Sequence, residues 1–435
     1  LFDEATAADL GTDAIAGEVL SMAIDTTDGA PILAYSVYER DALTQNQPFV
    51  QRRGDGRLML TVCDDLQCNN PEHIIHSEDT NEDGESDNIG YDVVLALNPV
   101  DSAPVVAYRN QTTGALRLLI CSAAEPLTTP ADKCDLTTSQ VITVDAGDVA
   151  NGVYAGLNAA MAVNTSGQAY IAYRRGAAPG SDAASTIELQ RCDLAAGTCE
   201  TLQSLTGVGN LRNFISLGLT PADETPIVSY NEMGGTRPPS TRLRLITCSD
   251  ADCSSVQRVN LDGDAQDAVP PYQTGFFSDL TFGQANPDDD DVELLVVYRA
   301  TNNQDGDSGL ILTVCDEAPP FTGCDIDSGE ANLQRVVLFE DGATPSIAFD
   351  PATGWPLVAF HNGATASLTL LTCSSPDCAD QSANTVERLL SDTSEDTGRQ
   401  ANLALEKTAD GATLPIIAHF NGTTSRPELY RPNAQ

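Results

Sequence analysis

Hydrophobic and polar positions alternate over short stretches along the whole chain, and one arrangement of stretches returns seven times. Each repeat opens with a run that alternates large apolar residues with small ones. A turn rich in Asp, Asn, Pro or Gly follows, and then a second apolar run that ends in an aromatic residue. Period-two alternation between turn signals predicts β-strands joined by hairpins. The seven segments are 20–35, 94–108, 160–173, 215–230, 280–298, 346–360 and 403–420.

A third apolar run follows in each of the first six repeats, and it leads into a cysteine, a short turn, a second cysteine and a fourth apolar run. The segments RLMLTVCDDLQC and LRLITCSDADC show the pattern. Four short strands per repeat, with no amphipathic helix between them, predict four-stranded antiparallel sheets around one axis. The alternation of Leu20, Ser21 and Met22 in the first strand predicts that the first strands crowd that axis.

This repeat resembles that of β-propeller proteins, and the resemblance covers essentially the whole chain. It implies an all-β, seven-bladed β-propeller that residues 1–435 form as a single domain, with inner-strand repeats starting near residues 20, 94, 160, 215, 280, 346 and 403. No signature of a particular propeller family is present, so the resemblance implies an architecture and no activity.

The seventh repeat ends after a third-strand candidate, ELYRPNAQ, and leaves no room for a fourth strand. The amino-terminal residues Leu1–Glu4 (LFDE) match the fourth-strand ending LFED at 338–341. We therefore expect an N-terminal strand, paired with the strand that contains Leu429 and Tyr430, to close the last blade and cover its exposed edge.

The twelve cysteines form six short-range pairs, each at the hairpin between the third and fourth strands of one repeat. Facing positions of a hairpin suit disulfides, whereas zinc needs four ligands at one point and these pairs are a whole repeat apart. The sequence predicts the pairs Cys63–Cys68, Cys121–Cys134, Cys192–Cys199, Cys248–Cys253, Cys315–Cys324 and Cys373–Cys378.

Disulfides persist in oxidising compartments, so we expect an exported protein that is extracellular or at the cell surface, with the periplasm as an alternative. The chain opens without a charged and apolar leader, which we expect to have been removed before Leu1. A formal charge of −41, from 63 acidic and 22 basic residues, repels phosphate backbones and argues against nucleic acid as a partner. No apolar stretch approaches the roughly 18 residues of a membrane-spanning helix, so we expect no membrane span.

One acidic loop has the spacing of a calcium site. Oxygen ligands stand at positions 1, 3, 5 and 9 of the loop, a backbone carbonyl at position 7 and a glycine at position 6, as calcium loops require. Over nine residues the loop resembles the calcium loops of dockerin and thrombospondin type 3 repeats. It departs from them at position 12, where Gly90 replaces a carboxylate and Asp92 or Glu78 is the candidate substitute. The predicted calcium ligands are Asp79, Asn81, Asp83, Glu85 and Asp87, and the alternative is a solvated acidic linker.

The residue after the second-strand aromatic is polar in six of the seven repeats, and the symmetry of the blades predicts that these residues form a ring at one mouth of the central channel. The predicted ligand-binding members are Arg109, Arg174, Asn231, Arg299 and His361, with Ser36 and Phe420 completing the ring. Arginine and hydroxyl-binding groups favour an anionic or hydroxyl-rich ligand such as an acidic glycan. The alternative is that each arginine pairs with a nearby acid and joins two blades.

No sequence motif of a nucleophilic, metal-dependent or phosphate-binding enzyme is present, and among 63 acidic residues no catalytic pair can be chosen from sequence alone. This absence predicts a non-catalytic, calcium-stabilised binding or structural module at the cell surface, for adhesion or in an extracellular assembly. Its partner would be a protein or a glycan, and an oligomer or filament is compatible with the sequence. The alternative is a carbohydrate-active hydrolase or lyase that works at the channel mouth.

Three N-glycosylation sequons fall in predicted hairpin loops, a position that permits glycosylation. They begin at Asn110, Asn164 and Asn421.

Overall fold

The computed structural model describes residues 14–432. The exceptions are residue 26 and the segments 40–55, 66–67, 81–85, 125–128, 178–184, 207–209, 235–239, 264–271, 284–291, 304–306, 329–331, 391–393 and 409–410. Within the described residues, no helix is long and apolar enough to cross a membrane.

The first four blades are antiparallel sheets with their strands in chain order. Blade 1 contains β1 (Ala14–Ile24), β2 (Pro31–Glu39), β3 (Arg57–Val62) and β4 (Glu72–His76). Blade 2 contains β5 (Tyr91–Leu97), β6 (Pro104–Asn110), β7 (Ala115–Ile120) and β8 (Gln140–Asp145). Blade 3 contains β9 (Tyr154–Val163), β10 (Gln168–Gly176), β11 (Thr186–Asp193) and β12 (Thr198–Leu205). Blade 4 contains β13 (Asn210–Leu219), β14 (Pro226–Gly234), β15 (Ser240–Cys248) and β16 (Val256–Asp262).

The last three blades repeat the arrangement, and the seventh has three strands among the described residues. Blade 5 contains β17 (Phe276–Gly283), β18 (Glu293–Ala300), β19 (Gly309–Cys315) and β20 (Leu333–Phe339). Blade 6 contains β21 (Gly342–Asp350), β22 (Trp355–Asn362), β23 (Ser367–Thr372) and β24 (Thr385–Arg388). Blade 7 contains β25 (Arg399–Lys407), β26 (Thr413–Asn421) and β27 (Arg426–Tyr430). The predicted partner of β27, Leu1–Glu4, lies outside the described residues.

The seven sheets form a closed ring in which the first strand of every blade lies against the first strands of both neighbours, including β1 against β25. The seven-bladed, all-β propeller predicted from the repeat is therefore confirmed, with the first strands innermost. The hydrophobic core lies between blades, as where Leu58 and Leu60 of blade 1 pack with Val106 and Tyr108 of blade 2.

All six predicted disulfides are present, and the structure describes no free cysteine. Each spans the connection between the third and fourth strands of one of the first six blades, at the end of the sheet opposite the predicted mouth. By the chain-entropy model, closing a loop of about six residues stabilises the folded state by about 2 kcal/mol. Six disulfides indicate that the protein folds in an oxidising compartment.

The inner strands begin three to six residues earlier than the alternation suggested, as where β1 begins at Ala14 rather than near residue 20. In every blade the pairing of the first two strands shifts register at this point. The bulge residue adopts a left-handed φ in five blades, at Asp92, Asn158, Phe277, Thr344 and Gln400. Because a bulge interrupts the two-residue period, the sequence pattern reveals only the part of the strand that follows it.

Glycine precedes most of these bulges. It stands two residues before the bulge position in six blades, at Gly17, Gly90, Gly156, Gly275, Gly342 and Gly398. At Gly398 the chain passes so close to the third strand of the preceding blade that a Cβ would lie 2.5 Å from the Leu368 Cα, and φ is +86°. Only glycine tolerates both conditions, so this residue lets the chain cross into the next blade.

Candidate functional site

The central channel holds a cavity of about 420 Å³ that is lined by the inner strands of all seven blades. Its lining combines apolar side chains with serine, threonine, asparagine and glutamine. Among the described residues that line it, Asp279 is the one acid. A small polar cavity with one acidic group at its wall is the natural place to look for chemistry in this molecule.

Equivalent positions of the seven inner strands form what we call the inner ring, which comprises Ser21, Val94, Ala160, Ser216, Asp279, Ser346 and Asn402. Each of the five polar members accepts a hydrogen bond from a backbone N–H of the next blade. The donors are Leu95, Leu280, Ile347, Leu403 and Met22, at 3.0 to 3.3 Å. The bond from Met22 to Asn402 joins the first blade to the last.

Asp279 differs from the other ring members because it accepts hydrogen bonds from both neighbouring blades. Its Oδ1 accepts from the Ser216 hydroxyl at 2.9 Å, and its Oδ2 accepts from the Ser346 hydroxyl at 3.1 Å and the Ile347 N–H at 3.0 Å. Burial raises the pKa of Asp279, and these hydrogen bonds oppose the shift without cancelling it. The carboxyl group therefore holds its proton to a higher pH than an exposed aspartic acid does.

At the mouth, Arg109 lies fully buried in blade 2. Its Nε donates to Asp92 Oδ2 at 2.7 Å, and its guanidinium lies 5.1 Å from the centre of the Tyr91 ring. Asp92 Oδ1 accepts the backbone N–H of Asn158, which belongs to blade 3. This part of the predicted ligand ring thus joins two blades, as the alternative interpretation of the arginines proposed.

The other predicted mouth residues reach the same end of the sheets but differ in exposure. Arg174 is buried and donates to the Ser185 hydroxyl at 2.8 Å, and Asn231 is buried and donates to the Thr274 carbonyl. Arg299 is partly exposed, while His361 Nε2 lies 3.0 Å from Asp396 Oδ1. The remaining members, Ser36 and Phe420, are buried. Five of the seven ring members are therefore buried and two are partly exposed, and ligand binding by the ring stays a prediction.

Tyrosines at the end of the second strand explain why the repeat closes on an aromatic residue. In three blades the tyrosine hydroxyl donates to an acid at or just beyond the end of the fourth strand of the preceding blade. The pairs are Tyr108 with Glu78, Tyr173 with Asp145, and Tyr298 with Asp262. The sequence shows the aromatic position but not its acidic partner, because the two residues belong to different repeats.

Of the predicted calcium ligands, Asn81, Asp83 and Glu85 lie outside the described residues, and Asp79 is exposed. Asp87 is buried, and its Oδ2 already accepts hydrogen bonds from Thr80 and Asn110. The two substitutes for position 12 are also engaged, since Asp92 pairs with Arg109 and Glu78 accepts from Tyr108 and Asn110. Calcium binding by this loop stays a prediction.

The three sequon asparagines are buried, and their side chains form hydrogen bonds within the fold. The Asn110 Nδ2 atom donates to Glu78 and Asp87, that of Asn164 donates to Gln168, and that of Asn421 donates to Glu395 and Glu428. The nitrogen that would carry a sugar is thus committed to hydrogen bonds at all three positions.

No protein-family model matches the sequence, and no curated protein matches it. Among solved structures, an α-L-arabinanase of Penicillium chrysogenum matches with 13% identity and a TM-score of 0.41 over 61% of this chain and 77% of that one. An α-L-arabinofuranosidase of Fusarium graminearum matches with 9% identity and a TM-score of 0.44 over 87% and 94%. An apocarotenoid oxygenase of Synechocystis matches with 10% identity and a TM-score of 0.40 over 86% and 92%.

These matches bear on the function predicted from the sequence. Glycoside hydrolases recur among them, which goes against the predicted non-catalytic surface module, and we do not retain that prediction. Likeness at this level of identity shows the fold alone, and one fold supports unrelated chemistries. The case for an activity therefore rests on the channel itself.

Proposed function

We propose that this protein is a secreted hydrolase that cleaves a glycosidic bond at the mouth of the central channel. The observation that carries the proposal is the position of Asp279, whose carboxyl group lies in the wall of the channel cavity among hydroxyl and amide side chains. A glycoside hydrolase needs a carboxylic acid that protonates the leaving oxygen and a second carboxylate that acts on the anomeric carbon or on water. Asp279 would be the acid.

The raised pKa of Asp279 supports this role. Burial raises the pKa of its carboxyl group, and a general acid works best when it still holds its proton near the working pH. The hydroxyls of Ser216 and Ser346 hold the carboxyl group in place from both sides. Fixed orientation matters because a proton donor must lie within hydrogen-bond reach of the oxygen it protonates.

Two acids at the mouth are the candidates for the second carboxylate. Asp92 lies two residues before the inner-ring position of blade 2 and is held by Arg109. Asp396 lies in the segment that leads into β25 and is held by His361 and Arg399, with about a quarter of its side chain exposed. Each of the two carboxylates thus forms an ion pair with an arginine.

The remaining polar groups suit a hydroxyl-rich substrate. The Ser36 hydroxyl and the Asn231 Oδ1 atom are buried at the mouth end of their strands without a hydrogen-bond partner. Buried polar atoms of this kind are costly unless a partner satisfies them, and sugar hydroxyls both donate and accept. In the same proposal, the acidic loop after β4 binds one calcium ion through Asp79, Asn81, Asp83, Glu85 and Asp87, and the protein works outside the cell.

The test is product analysis with purified protein and a panel of plant, algal and bacterial polysaccharides and aryl glycosides. The proposal expects new reducing ends from at least one member of the panel, and it expects an Asp279→Asn variant to release far fewer. Products that carry a new carbon–carbon double bond would assign a lyase instead. Release of reducing ends at an equal rate by wild type and variant would show that Asp279 is not the acid.

A further inference from the structure

Two buried arginines at the mouth share one acid. Arg109 is 0% exposed and Arg174 is 3% exposed, and they come from the second strands of neighbouring blades 2 and 3. Asp92 pairs with Arg109, and its charge also acts on Arg174. Among the described residues, this cluster thus sets two positive charges against one negative charge.

Arg109 leaves most of its guanidinium unused. Nε donates to Asp92, but both terminal nitrogens, Nη1 and Nη2, are buried and have no hydrogen-bond partner. The guanidinium carbon lies over the Tyr91 ring, 5.1 Å from its centre. A planar guanidinium with two free nitrogens is the arrangement that binds a carboxylate or sulfate oxygen pair.

Among the described residues, no acid forms an ion pair with Arg174. Its hydrogen bonds reach the Ser185 hydroxyl at 2.8 Å and the Ala177 carbonyl at 3.1 Å, and both acceptors are neutral. Burial lowers the pKa of Arg174, and the charge of Asp92 opposes this only in part. A buried cation without a matching anion is unfavourable, so this pair of arginines calls for an additional anion.

Among the described residues, Arg242 and Arg244 also share one acid, Glu232, whereas the other arginines show less imbalance. Most of those with described ion pairs are matched by an acid of their own or lie between two acids. Arg175 provides the clearest contrast, because it is the next residue after Arg174 and its Nε donates to Asp145 at 3.0 Å. What distinguishes the mouth cluster is Arg109, which among the described residues is the one arginine with both terminal nitrogens buried and unpartnered.

We propose that Arg109 and Arg174 form a subsite for an anionic group of the substrate, a carboxylate or a sulfate ester on a sugar. The inference rests on the proposed function, which it deepens by naming the substrate class as an acidic carbohydrate. The subsite lies at the mouth, since Asp92 stands on the inner strand just before the channel lining begins at Val94. A sugar anchored there by its charged group would extend over the cavity that contains Asp279.

The experiment measures binding by calorimetry to protein dialysed free of oxyanions, with galacturonate, inorganic sulfate and galactose as separate probes. We expect saturable binding of galacturonate or sulfate and no binding of galactose. Galacturonate alone would identify a carboxylate subsite, and sulfate alone a sulfate subsite. Arg109→Gln and Arg174→Gln should each weaken binding about tenfold or more, whereas the matched control Arg175→Gln should retain wild-type affinity.

Absence of saturable binding of both anions by wild-type protein would overturn the subsite, as would equal losses in Arg174→Gln and Arg175→Gln. If Arg109→Gln fails to fold, Arg174→Gln decides the result. The outcome is separable from that of the proposed function. Turnover of neutral polysaccharides without anion binding would overturn the subsite alone, and anion binding without turnover of any polysaccharide would support the subsite while contradicting the hydrolase.

Discussion

The Ser216 hydroxyl donates a hydrogen bond of 2.9 Å to Asp279 Oδ1, although the two residues are 63 positions apart and belong to adjacent blades. The same carboxyl group accepts from Ser346 on the other side, so one acid ties three blades together around the channel. Asp279 thus combines a structural role with the chemical role that we propose, and the two roles predict different consequences of substitution.

The inner ring should stabilise the fold measurably. Ser346→Ala removes the donor to Asp279 and the acceptor of the Leu403 N–H, both within the buried ring. We expect the free energy of unfolding to fall by about 1–3 kcal/mol, the cost of leaving a buried polar group unsatisfied. Urea denaturation measures this decrease in the free energy of unfolding. Ser249→Ala, at an exposed hairpin on the opposite face, is the control and should change stability by less than about 0.5 kcal/mol.

The hydrogen bonds from tyrosines to acids of the preceding blade can be tested against a control residue in the same protein. Tyr298→Phe would leave the fully buried Asp262 carboxylate without its hydroxyl donor, so we expect a loss of about 1–3 kcal/mol in unfolding free energy. Tyr230 is the equivalent residue of blade 4, and its hydroxyl is buried without a partner. Tyr230→Phe should therefore be neutral or slightly stabilising. Equal effects of the two substitutions in thermal denaturation would contradict the tie.

Stability should decrease in mild acid because of His419. Burial lowers the pKa of this histidine to about 4, and its Nδ1 accepts the Gly398 N–H, which requires the neutral ring. The folded state takes up the proton less readily than the unfolded state, whose value is near 6.5. The contribution of neutral His419 to the free energy of unfolding is complete above pH 6.5. It is lost as pH falls towards 4, by up to about 1.4 kcal/mol per pH unit. His419→Asn should flatten this part of the stability profile; an unchanged slope would contradict the assignment.

Much of the architecture can be predicted from the sequence because the signals that define the repeat are local. Alternation, turn residues and the placement of cysteine pairs each act within about ten residues, and they predict the blades and all six disulfides. The bulges are different. They place Asp92 and Asn158 in a left-handed conformation and interrupt the alternation of apolar and polar residues. The alternation therefore predicts starts for the inner strands that are several residues too late.

The candidate site was less predictable because it is built between repeats. Asp279 stands at the position of Ser21 and Ser346 in its repeat, and comparison of the seven segments reveals an acid where the others have small, apolar or amide residues. What the comparison does not reveal is burial, which raises the pKa of Asp279, or the two serines that hold it. For Arg109, the residue type indicates an anionic ligand. Its pairing with Asp92 and its two unpartnered terminal nitrogens are seen only in the three-dimensional structure.

Calcium binding by the loop after β4 gives a further prediction. Binding to the folded state alone stabilises it by about 2.7 kcal/mol at a hundredfold excess over Kd. Chelation should therefore lower the melting temperature of the wild type and leave an Asp83→Ala variant unaffected. An equal response of the two proteins to chelator would count against the site and favour a solvated acidic linker.

The most direct test of the proposed activity compares turnover by wild type, Asp279→Asn and Ser21→Ala on the polysaccharide that the wild type cleaves. Ser21→Ala removes an inner-ring bond to Leu95 on the other side of the channel, and it controls for loosening of the ring. If Asp279 is the proton donor, Asp279→Asn lowers kcat about 100-fold or more while Ser21→Ala retains it. Equal activity of Asp279→Asn and wild type, or equal losses in both variants, would contradict the account and leave Asp279 as a tie between blades.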